Sequence, residues 1–179
     1  NKNTQLHWII SPTTGLDHLD VDRIFERSIR LISLKGEEEF LASVRTTAEH
    51  TWALLLSLVR NLFVARRCVL EGTWRRGDYF CSELSDKTLG IIGFGRLGKM
   101  VADYGLAFGM EILIYDKENQ TLHKSNHSLK QCELNELLSK SDVVSIHLPL
   151  NDSTYGFISK KRLGLMKKGS ILINTARGE

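Results

Sequence analysis

Residues Leu89–Gly98 read LGIIGFGRLG, an apolar run followed at once by three glycines spaced G-x-G-x-x-G at the start of a helical pattern. The first glycine permits a tight turn, the second lets the backbone approach a pyrophosphate, and the third lets the helix pack closely on the strand. The N-terminus of that helix offers backbone N–H groups to phosphate. The candidate cofactor-binding residues in this turn are Gly93, Gly95, Arg96, Leu97 and Gly98.

An acidic residue follows the next predicted strand along the chain. Asp116 lies about 20 residues beyond the last glycine, where a carboxylate can accept hydrogen bonds from the ribose hydroxyls of adenosine. Its negative charge would repel the 2′-phosphate of NADP, so we expect NAD as the cofactor, although the neighbouring Lys117 would weaken this repulsion. Both residues are candidate cofactor-binding residues. Two alternatives stay open: a glycine-rich turn beside a solvated aspartate, or a turn that serves another nucleotide such as FAD or S-adenosylmethionine.

Strand and helix patterns alternate regularly after this turn. The predicted strands are Leu89–Phe94, Glu111–Tyr115, Val143–Leu148 and Ser170–Ala176, and the predicted helices are Leu97–Phe108, Leu134–Ser139 and Ser159–Met166. Between Asp116 and Gln131 the chain is polar, and no element is predicted there. This alternation is typical of an α/β fold with a Rossmann-type, doubly wound parallel sheet. We assign it to a dinucleotide-binding domain over residues 88–179.

The chain before this domain begins with another strand–helix–strand pattern. Leu6–Ser11 and Ile29–Leu34 are predicted strands, and a helix starts after Asp20. We assign residues 1–43 to part of a flavodoxin-like substrate domain and residues 44–87 to a connecting helix and arm. The helix Val44–Ala65 has an apolar stripe wider than one packing surface needs. It could lie between two domains, at a subunit contact, or in an ordinary core.

The composition of the chain is that of a globular protein. Of its 179 residues, 42% are hydrophobic and 25% charged, and the formal net charge is +3. This charge is too small to indicate a nucleic-acid partner. The longest apolar stretch without full charges, Thr51–Val59, is about half of the roughly 20 residues that a membrane helix needs, and no signal-like segment opens the chain. We therefore expect a cytoplasmic protein with no membrane partner.

The cysteine pattern argues against a disulfide framework and against a zinc site. The chain has three cysteines, Cys68, Cys81 and Cys132, with no C-x-x-C spacing. An odd number at such spacings is typical of reduced, mostly packed thiols. We expect no bound metal.

Two further motifs end predicted strands near the C-terminus. They are SIHLPL, over Ser145–Leu150 and followed by Thr154, and SILINTARGE, over Ser170–Glu179. Together with LGIIGFGRLG, these motifs resemble the D-isomer-specific 2-hydroxyacid dehydrogenases. Weaker similarity extends back through Gly15 and the Thr46–Asn61 helix, so the resemblance covers nearly the whole chain.

The resemblance implies roles for residues at these strand ends. In the family, the arginine of the NTARG motif binds the carboxylate and carbonyl oxygen of a 2-oxo or 2-hydroxy acid, and Arg177 matches it. A planar guanidinium can hold a carboxylate through two parallel hydrogen bonds and polarise a carbonyl that is about to accept a hydride. The alternative is a surface arginine that ends a strand. Further candidate cofactor-binding residues are His147, Pro149, Thr154, Thr175 and Ala176.

The family's proton-transfer histidine and its acidic partner follow the NTARG motif. All six histidines of this chain precede Arg177, so the resemblance gives none of them that role, and His147 is expected beside the cofactor rather than as a base. We therefore expect a fragment that begins part-way through the substrate domain and is inactive by itself.

The family's substrate loop corresponds to Ser11–Gly15 in this sequence. Pro12 has no N–H group to offer, but the hydroxyls of Thr13 and Thr14 could replace some donors. With Gly15, these are the candidate substrate-binding residues, although the hydroxyls could equally be turn formers. Because the loop carries no positive charge, a phosphoglycerate-type substrate is disfavoured.

These expectations lead to one main hypothesis and one alternative. The first is an NAD-dependent oxidoreductase that transfers a hydride between nicotinamide and C2 of a small D-2-hydroxy acid or 2-oxo acid. The second is an NAD(H)-sensing, corepressor-like binding protein without turnover, because the family fold occurs in such a role. The aromatic residues Trp74, Tyr79 and Phe80, with the broad face of the Thr46–Asn61 helix, further suggest a homodimer, as in the family.

Overall fold

Two compact units make up the chain. The structure, a computed structural model, describes residues 5–73, 81–120, 122 and 128–178. Its contacts separate Asn1–Val44 from Arg45–Glu179, and each unit is described by itself. The described helices of the predicted connecting segment, residues 44–87, belong to the second unit. The aromatic residues Trp74, Tyr79 and Phe80 of the predicted arm lie outside the described residues.

The first unit contains the strand–helix–strand arrangement that the sequence predicts. Its elements are β1 (Trp8–Ser11), α1 (Val21–Glu26), β2 (Arg30–Ser33) and α2 (Glu38–Ala42). The two strands pair in parallel, with Ile9 opposite Leu31. The side chain of Asp20 accepts a hydrogen bond of 3.1 Å from the backbone N–H of Arg23, which caps α1 as predicted. Helix α2 is an element that the sequence pattern does not predict.

The second unit is built on one parallel sheet. Its helices are α3 (Thr46–Val59), α4 (Leu62–Leu70), α5 (Arg96–Ala107), α6 (Leu134–Lys140) and α7 (Lys160–Leu163). Its strands are β3 (Thr88–Ile92), β4 (Glu111–Tyr115), β5 (Leu129–Gln131), β6 (Val143–Ile146) and β7 (Ile171–Asn174). The strand order is β5-β4-β3-β6-β7, and every described pair is parallel. The predicted doubly wound sheet is therefore confirmed, with its switch point between β3 and β6, where such sheets bind ligands.

Helices cover both faces of this sheet. On one face, α3 and α5 pack against buried residues such as Leu89, Ile91 and Ile112. On the other face, α6 packs against Ile92, Val144 and Ile146. Burying side chains of this size contributes about 1.5–3 kcal/mol each. The two cores therefore fix the strand ends that carry the candidate site.

Trp52 anchors α3 to the sheet-covering helix α5. Its indole ring stacks on Phe108, with ring centroids 4.7 Å apart, and its Nε1–H donates to the carbonyl oxygen of Val101 at 3.3 Å. The indole of Trp52 is itself 5% exposed, and a buried indole N–H needs a partner. Helix α3 is thereby fixed against α5 within the second unit.

The prediction of one continuous helix over Val44–Ala65 is wrong. The chain leaves the helical conformation after Val59, and Asn61 has φ 49° and ψ 39°, in the left-handed region, before α4 begins at Leu62. Asparagine tolerates this conformation better than other residues with a side chain. The apolar spacing continues across the break, so periodicity alone does not reveal it. A second difference is β5, a short strand inside the polar stretch where no element is predicted.

Candidate functional site

The turn between β3 and α5 has the backbone that each glycine of the motif is expected to allow. Gly93 has φ +94°, and a Cβ atom there would lie 2.8 Å from the carbonyl oxygen of His147. A Cβ at Gly98 would lie 2.1 Å from the carbonyl oxygen of Gly93. At Gly95, by contrast, a Cβ would meet no atom within 4 Å, so the backbone there faces open space. The turn is thus closely packed at Gly93 and Gly98, whereas its other side, at Gly95, is bare of neighbouring atoms.

The helix that follows this turn presents its N-terminus at the bare side. Gly95 is the N-cap residue of α5, and no side chain caps the helix. Arg96 and Leu97 form its first turn and are half-buried. Backbone N–H groups at a helix N-terminus and the helix dipole favour an anion. This end of α5 therefore suits a diphosphate.

Asp116 lies beside the turn and ties it to the end of β4. Its Oδ2 accepts a 2.7 Å hydrogen bond from the backbone N–H of Phe94, and its Oδ1 accepts one of 3.1 Å from that of Glu118. The backbone N–H of Gly93 also donates to the carbonyl oxygen of Tyr115, at 2.8 Å. The carboxylate is therefore fixed before any ligand binds, with further lone pairs for ribose hydroxyls. Lys117, next to it, is exposed.

The geometry and chemistry of these residues fit a bound dinucleotide. The open backbone at Gly95 gives room that a side chain would fill, the uncapped N-terminus of α5 suits the diphosphate, and Asp116 suits the ribose. The turn and the helix N-terminus follow β3, which borders the switch point of the sheet, and Asp116 follows the neighbouring strand β4. The structure thus brings together the predicted residues of the glycine turn and the predicted acid.

His147 follows β6 and lies against the glycine turn through its backbone. Its N–H donates to the carbonyl oxygen of Ile92 at 2.8 Å, while its ring Nε2 lies 2.8 Å from the hydroxyl of Ser145. The ring Nδ1 is buried and has no hydrogen-bond partner among the described residues. Burial lowers the pKa of His147 from 6.5 to about 4, so the ring is neutral at pH 7. A ring with a pKa of about 4 is a weak base at pH 7, and the place of His147 beside the cofactor stays a prediction.

The loop after His147 contributes Pro149 and Thr154 to a cavity of about 230 Å³. The hydroxyl of Thr154 donates to the carbonyl oxygen of Pro149 and accepts from the N–H of Asn151 at 2.9 Å. Thr154 thus holds the loop in shape. Ala176 and Arg177, from the end of β7, line the same cavity, so four predicted residues lie together.

The turn at the end of β7 carries the predicted carboxylate-binding arginine. The side chain of Asn174 closes this turn, because its Oδ1 accepts from the N–H of Ala176 at 3.0 Å and its Nδ2 donates to the carbonyl oxygen of Arg177. Arg177 is half-buried, and its Nη1 donates to the carbonyl oxygen of Ala176 at 2.8 Å. Thr175 lies within the turn, and its hydroxyl is 2.8 Å from that of Thr51 on α3.

A second cavity, of about 510 Å³, lies on the other side of this turn. It is lined by Asn174–Gly178 and by one side of α3 near its N-terminus, through Thr46, Thr47, His50 and Leu54. The sequence analysis does not single out the α3 residues. Their spacing of three or four is a helical signal, but a polar stripe on an otherwise apolar helix resembles an ordinary solvated edge.

The predicted substrate loop belongs to the first unit. The hydroxyl of Thr13 donates to the carbonyl oxygen of Gly15 at 2.9 Å, and Ser11 Oγ lies 2.8 Å from Thr13 Oγ1. Because a threonine hydroxyl has a single proton, Thr13 accepts from Ser11 and has no proton left for a substrate carboxylate. Thr13 therefore shapes the loop in this conformation, while Thr14 is exposed.

No described helix is long and apolar enough to cross a membrane. Within the described ranges, no three His, Cys, Asp or Glu side chains come together in a way that could hold a metal ion.

Comparison with known proteins agrees with this geometry. Residues 52–179 match the family model of the D-isomer specific 2-hydroxyacid dehydrogenase, NAD binding domain. The chain is 37% identical to a hydroxypyruvate reductase of Thermotoga maritima over 164 residues, which are 92% of this chain and 51% of that protein. It is 36% identical to a glyoxylate reductase of Aeropyrum pernix over 181 residues, covering 97% of this chain and 52% of that protein.

A solved structure gives the same result for the fold. The D-lactate dehydrogenase from Aquifex aeolicus, complexed with NAD and lactic acid, superposes with a TM-score of 0.79 at 37% identity, over 97% of this chain and 50% of that one. The chain thus spans about half the length of these relatives. The glycine turn, the acid that braces it and the match over most of the chain agree, and the protein belongs to the D-isomer specific 2-hydroxyacid dehydrogenase family, of which it carries the NAD-binding domain.

Proposed function

We propose that the protein acts as an NAD-dependent dehydrogenase that interconverts a small D-2-hydroxy acid and its 2-oxo acid. The observation that carries this proposal is the placement of two anion-binding features along one edge of one parallel sheet. The turn Gly93–Gly98 follows β3, and the arginine turn Asn174–Arg177 follows β7. The first suits the diphosphate of a dinucleotide, and the second suits the carboxylate of a small acid.

On the cofactor side of the site, residues of the chain bind the dinucleotide and orient it. The uncapped N-terminus of α5 holds the diphosphate, and Asp116 accepts from the ribose hydroxyls. We also assign Arg96, Leu97, Lys117, His147, Pro149, Thr154, Thr175 and Ala176 to the lining of the cofactor site. The bound cofactor supplies or removes a hydride at C4 of its nicotinamide.

On the substrate side, Arg177 is the residue proposed to touch the reacting acid. Its guanidinium is charged at any working pH, grips a carboxylate through two hydrogen bonds and polarises the neighbouring carbonyl. Preorganised positive charge of this kind stabilises the oxygen that becomes negative as hydride arrives. Within the first unit, Thr14 and Gly15 are proposed as further substrate-binding residues, with Thr13 maintaining their loop.

The proposed substrate class is a short 2-oxo acid without a phosphate group. The loop Ser11–Gly15 carries no basic residue. Of the three relatives described above, two are named as reductases of hydroxypyruvate and glyoxylate and one as a D-lactate dehydrogenase, which supports the choice of small acids for a first panel. None of the three bears the name of a corepressor, so they lend no support to the alternative hypothesis.

The proposal is tested by turnover and by one substitution. The full-length protein should oxidise NADH with at least one member of a panel of glyoxylate, hydroxypyruvate and longer sugar-derived 2-oxo acids. Arg177→Ala should lower kcat/KM by about 100-fold or more, as the loss of a preorganised donor does. It should change the Kd of NADH by less than about twofold, because Arg177 is assigned to the substrate.

Arg60→Ala is a matched control for this substitution, because Arg60 is an exposed arginine at the end of α3. It should leave both constants unchanged. NADH binding without turnover of any acid in the panel would contradict the proposal and favour the corepressor-like alternative.

We also propose that the protein forms a homodimer. Helix α4 and the end of α3 expose an apolar face, of which Phe63 is 71%, Leu70 is 70% and Leu58 is 52% exposed. Apolar patches of this kind are typical of interaction surfaces. A two-fold dimer would cover this face with its own copy.

We further propose that the protein is located in the cytoplasm. All three cysteines lie within the described residues, and none forms a disulfide. Reduced cysteines are the ordinary state in a reducing compartment. The proposed reaction also uses NADH, and a cytoplasmic location would supply it.

A further inference from the structure

Helix α3 touches the arginine turn through one buried hydroxyl. Thr51 is 2% exposed and lies on the face of α3 that also buries Ala48, Trp52 and Leu55. Its Oγ1 is 2.8 Å from the Oγ1 of Thr175. The two residues are far apart in the sequence, so this contact joins a helix to the end of β7.

The direction of this hydrogen bond follows from counting protons. The hydroxyl of Thr51 has a single proton, and it donates that proton to the carbonyl oxygen of Thr47 at 2.9 Å. In the contact with Thr175, Thr51 must therefore accept and Thr175 must donate. The hydroxyl of Thr175 consequently offers no proton to a bound carboxylate, and the task of donating stays with Arg177.

Two side chains thus hold the turn from different sides. Asn174 closes it internally, through Ala176 and the carbonyl oxygen of Arg177. These bonds fix the shape of the turn but tie it to nothing else. The bond from Thr175 to Thr51 ties it to α3, which Trp52 fixes in the core.

We propose that Thr51 is a positioning residue that sets the place of Arg177 for the substrate by accepting the hydrogen bond of Thr175. This inference rests on the proposed function, since it assigns Thr51 to substrate binding without direct contact. It assigns to Thr51 no part in binding the dinucleotide, whose glycine turn and acid lie at the ends of β3 and β4.

Thr51→Val tests the inference, because valine keeps the shape of threonine and removes the acceptor. In the full-length protein, KM for the best 2-oxo acid should rise about tenfold, the size expected for one lost hydrogen bond. The Kd of oxamate, an unreactive 2-oxo acid analogue, should rise equally in the presence of NADH. The Kd of NADH should stay within about twofold. Thr51→Ser should restore KM, because serine retains the hydroxyl.

Three further variants separate positioning from general stability. Thr175→Val should reproduce the rise in KM and in the Kd of oxamate, and the double variant should raise these two constants no further than either single variant, because both act through the same bond. Ser57→Ala, which removes another hydroxyl from the same helix, should leave all constants unchanged.

The results that would overturn the inference are equally specific. They are a wild-type KM in Thr51→Val, an equal loss of NADH and oxamate affinity, or additive effects in the double variant. If the unsubstituted protein neither turns over a 2-oxo acid nor binds oxamate, the proposed function fails and the inference fails with it. If the unsubstituted protein does both and Thr51→Val behaves like it, only the inference fails.

Discussion

Asp116 acts on two partners, the glycine turn and the ribose that we propose it binds. Asp116→Ala should raise the Kd of NAD by about 10- to 100-fold, because hydrogen bonds to a charged group are lost. It should also reduce discrimination against NADP, since the charge that repels a 2′-phosphate is gone. Calorimetric titration with both dinucleotides measures the two effects.

Asp116→Asn separates the two roles of the carboxylate. An amide oxygen can still accept from the N–H of Phe94, so the turn should keep its shape while discrimination against NADP falls. Glu118→Gln removes a nearby exposed charge and should change neither affinity. Unchanged discrimination in Asp116→Asn would show that the carboxylate does not select the cofactor.

His147 should make the stability of the protein depend on pH. Burial lowers its pKa in the folded state to about 4, from 6.5. Between these values the unfolded chain binds the additional proton, so the contribution is complete above pH 6.5 and is lost as pH falls towards 4. The loss is on the order of 3 kcal/mol, at about 1.4 kcal/mol for each pH unit. Urea unfolding from pH 7 to pH 4 measures it.

His147→Gln should flatten the stability curve between pH 6.5 and 4, because glutamine does not titrate. His7→Gln, at an exposed histidine in the first unit, is the control and should preserve the slope. A slope that persists in His147→Gln would assign the acid sensitivity to other groups.

In the strand–turn–helix element formed by β3 and α5, two glycines three positions apart are expected to have different roles. Gly98 is needed for folding, whereas Gly95 is needed for cofactor binding. Gly98→Ala should destabilise the protein by about 1–3 kcal/mol, because a Cβ would overlap the carbonyl oxygen of Gly93 at 2.1 Å. Gly95→Ala should leave the melting temperature nearly unchanged, because nothing lies within 4 Å of its Cβ and its φ of −75° suits alanine. It should nevertheless weaken NAD binding at least about tenfold by filling the space above the turn.

Thermal unfolding with and without NAD tests both substitutions. A ligand at a hundredfold excess over its Kd stabilises a protein by about 2.7 kcal/mol. Gly95→Ala should lose most of this stabilisation, whereas the effect of Gly98→Ala should already be visible without NAD. A Gly95→Ala variant that binds NAD normally would place the diphosphate elsewhere.

Among the elements, those with strong local signals could be predicted from the sequence. Strand β4 and the cap of α1 by Asp20 agree with the prediction, because a buried alternation and a capping side chain are local features. The break at Asn61 could not be predicted, since apolar spacing continues through it. Strand β5 is three residues long and polar, and it exists only because β4 offers an edge.

The candidate site was predictable where a motif carries the chemistry. The glycine turn, Asp116 and Arg177 belong to recognisable patterns, whereas the link from Thr51 to Thr175 joins distant residues, and no local pattern reports it. The direction of the Thr13 hydroxyl likewise depends on Ser11 and Gly15 in three dimensions. Sequence reasoning therefore locates the groups but not the hydrogen bonds that orient them.

The whole molecule is proposed to be a dimer, and its exposed apolar face can be tested directly. Phe63→Glu combined with Leu70→Glu places two charges on α4, and burying them at a subunit contact would be costly. Sedimentation equilibrium should show a dimer for the unsubstituted protein and a monomer for this variant.

Phe25→Glu is the control for this experiment, because Phe25 is an exposed phenylalanine on α1, in the first unit. It should leave the dimer intact. A stable monomer for the unsubstituted full-length protein would remove the proposal, and a dimer that survives both charges on α4 would place the interface elsewhere.

The unequal surroundings of Gly95 and Gly98 have a consequence for evolution. The packing of the backbone requires glycine at position 98. Any homologue that keeps this fold should therefore keep that glycine, whatever its function. At Gly95 no described atom lies within 4 Å of an added Cβ, so the requirement for glycine there comes from the nucleotide that we propose to bind. In a lineage that lost coenzyme binding, position 95 would be the first of the two to accept substitutions. A residue other than glycine at position 95 would therefore identify, among otherwise similar sequences, a protein that has lost the enzymatic activity.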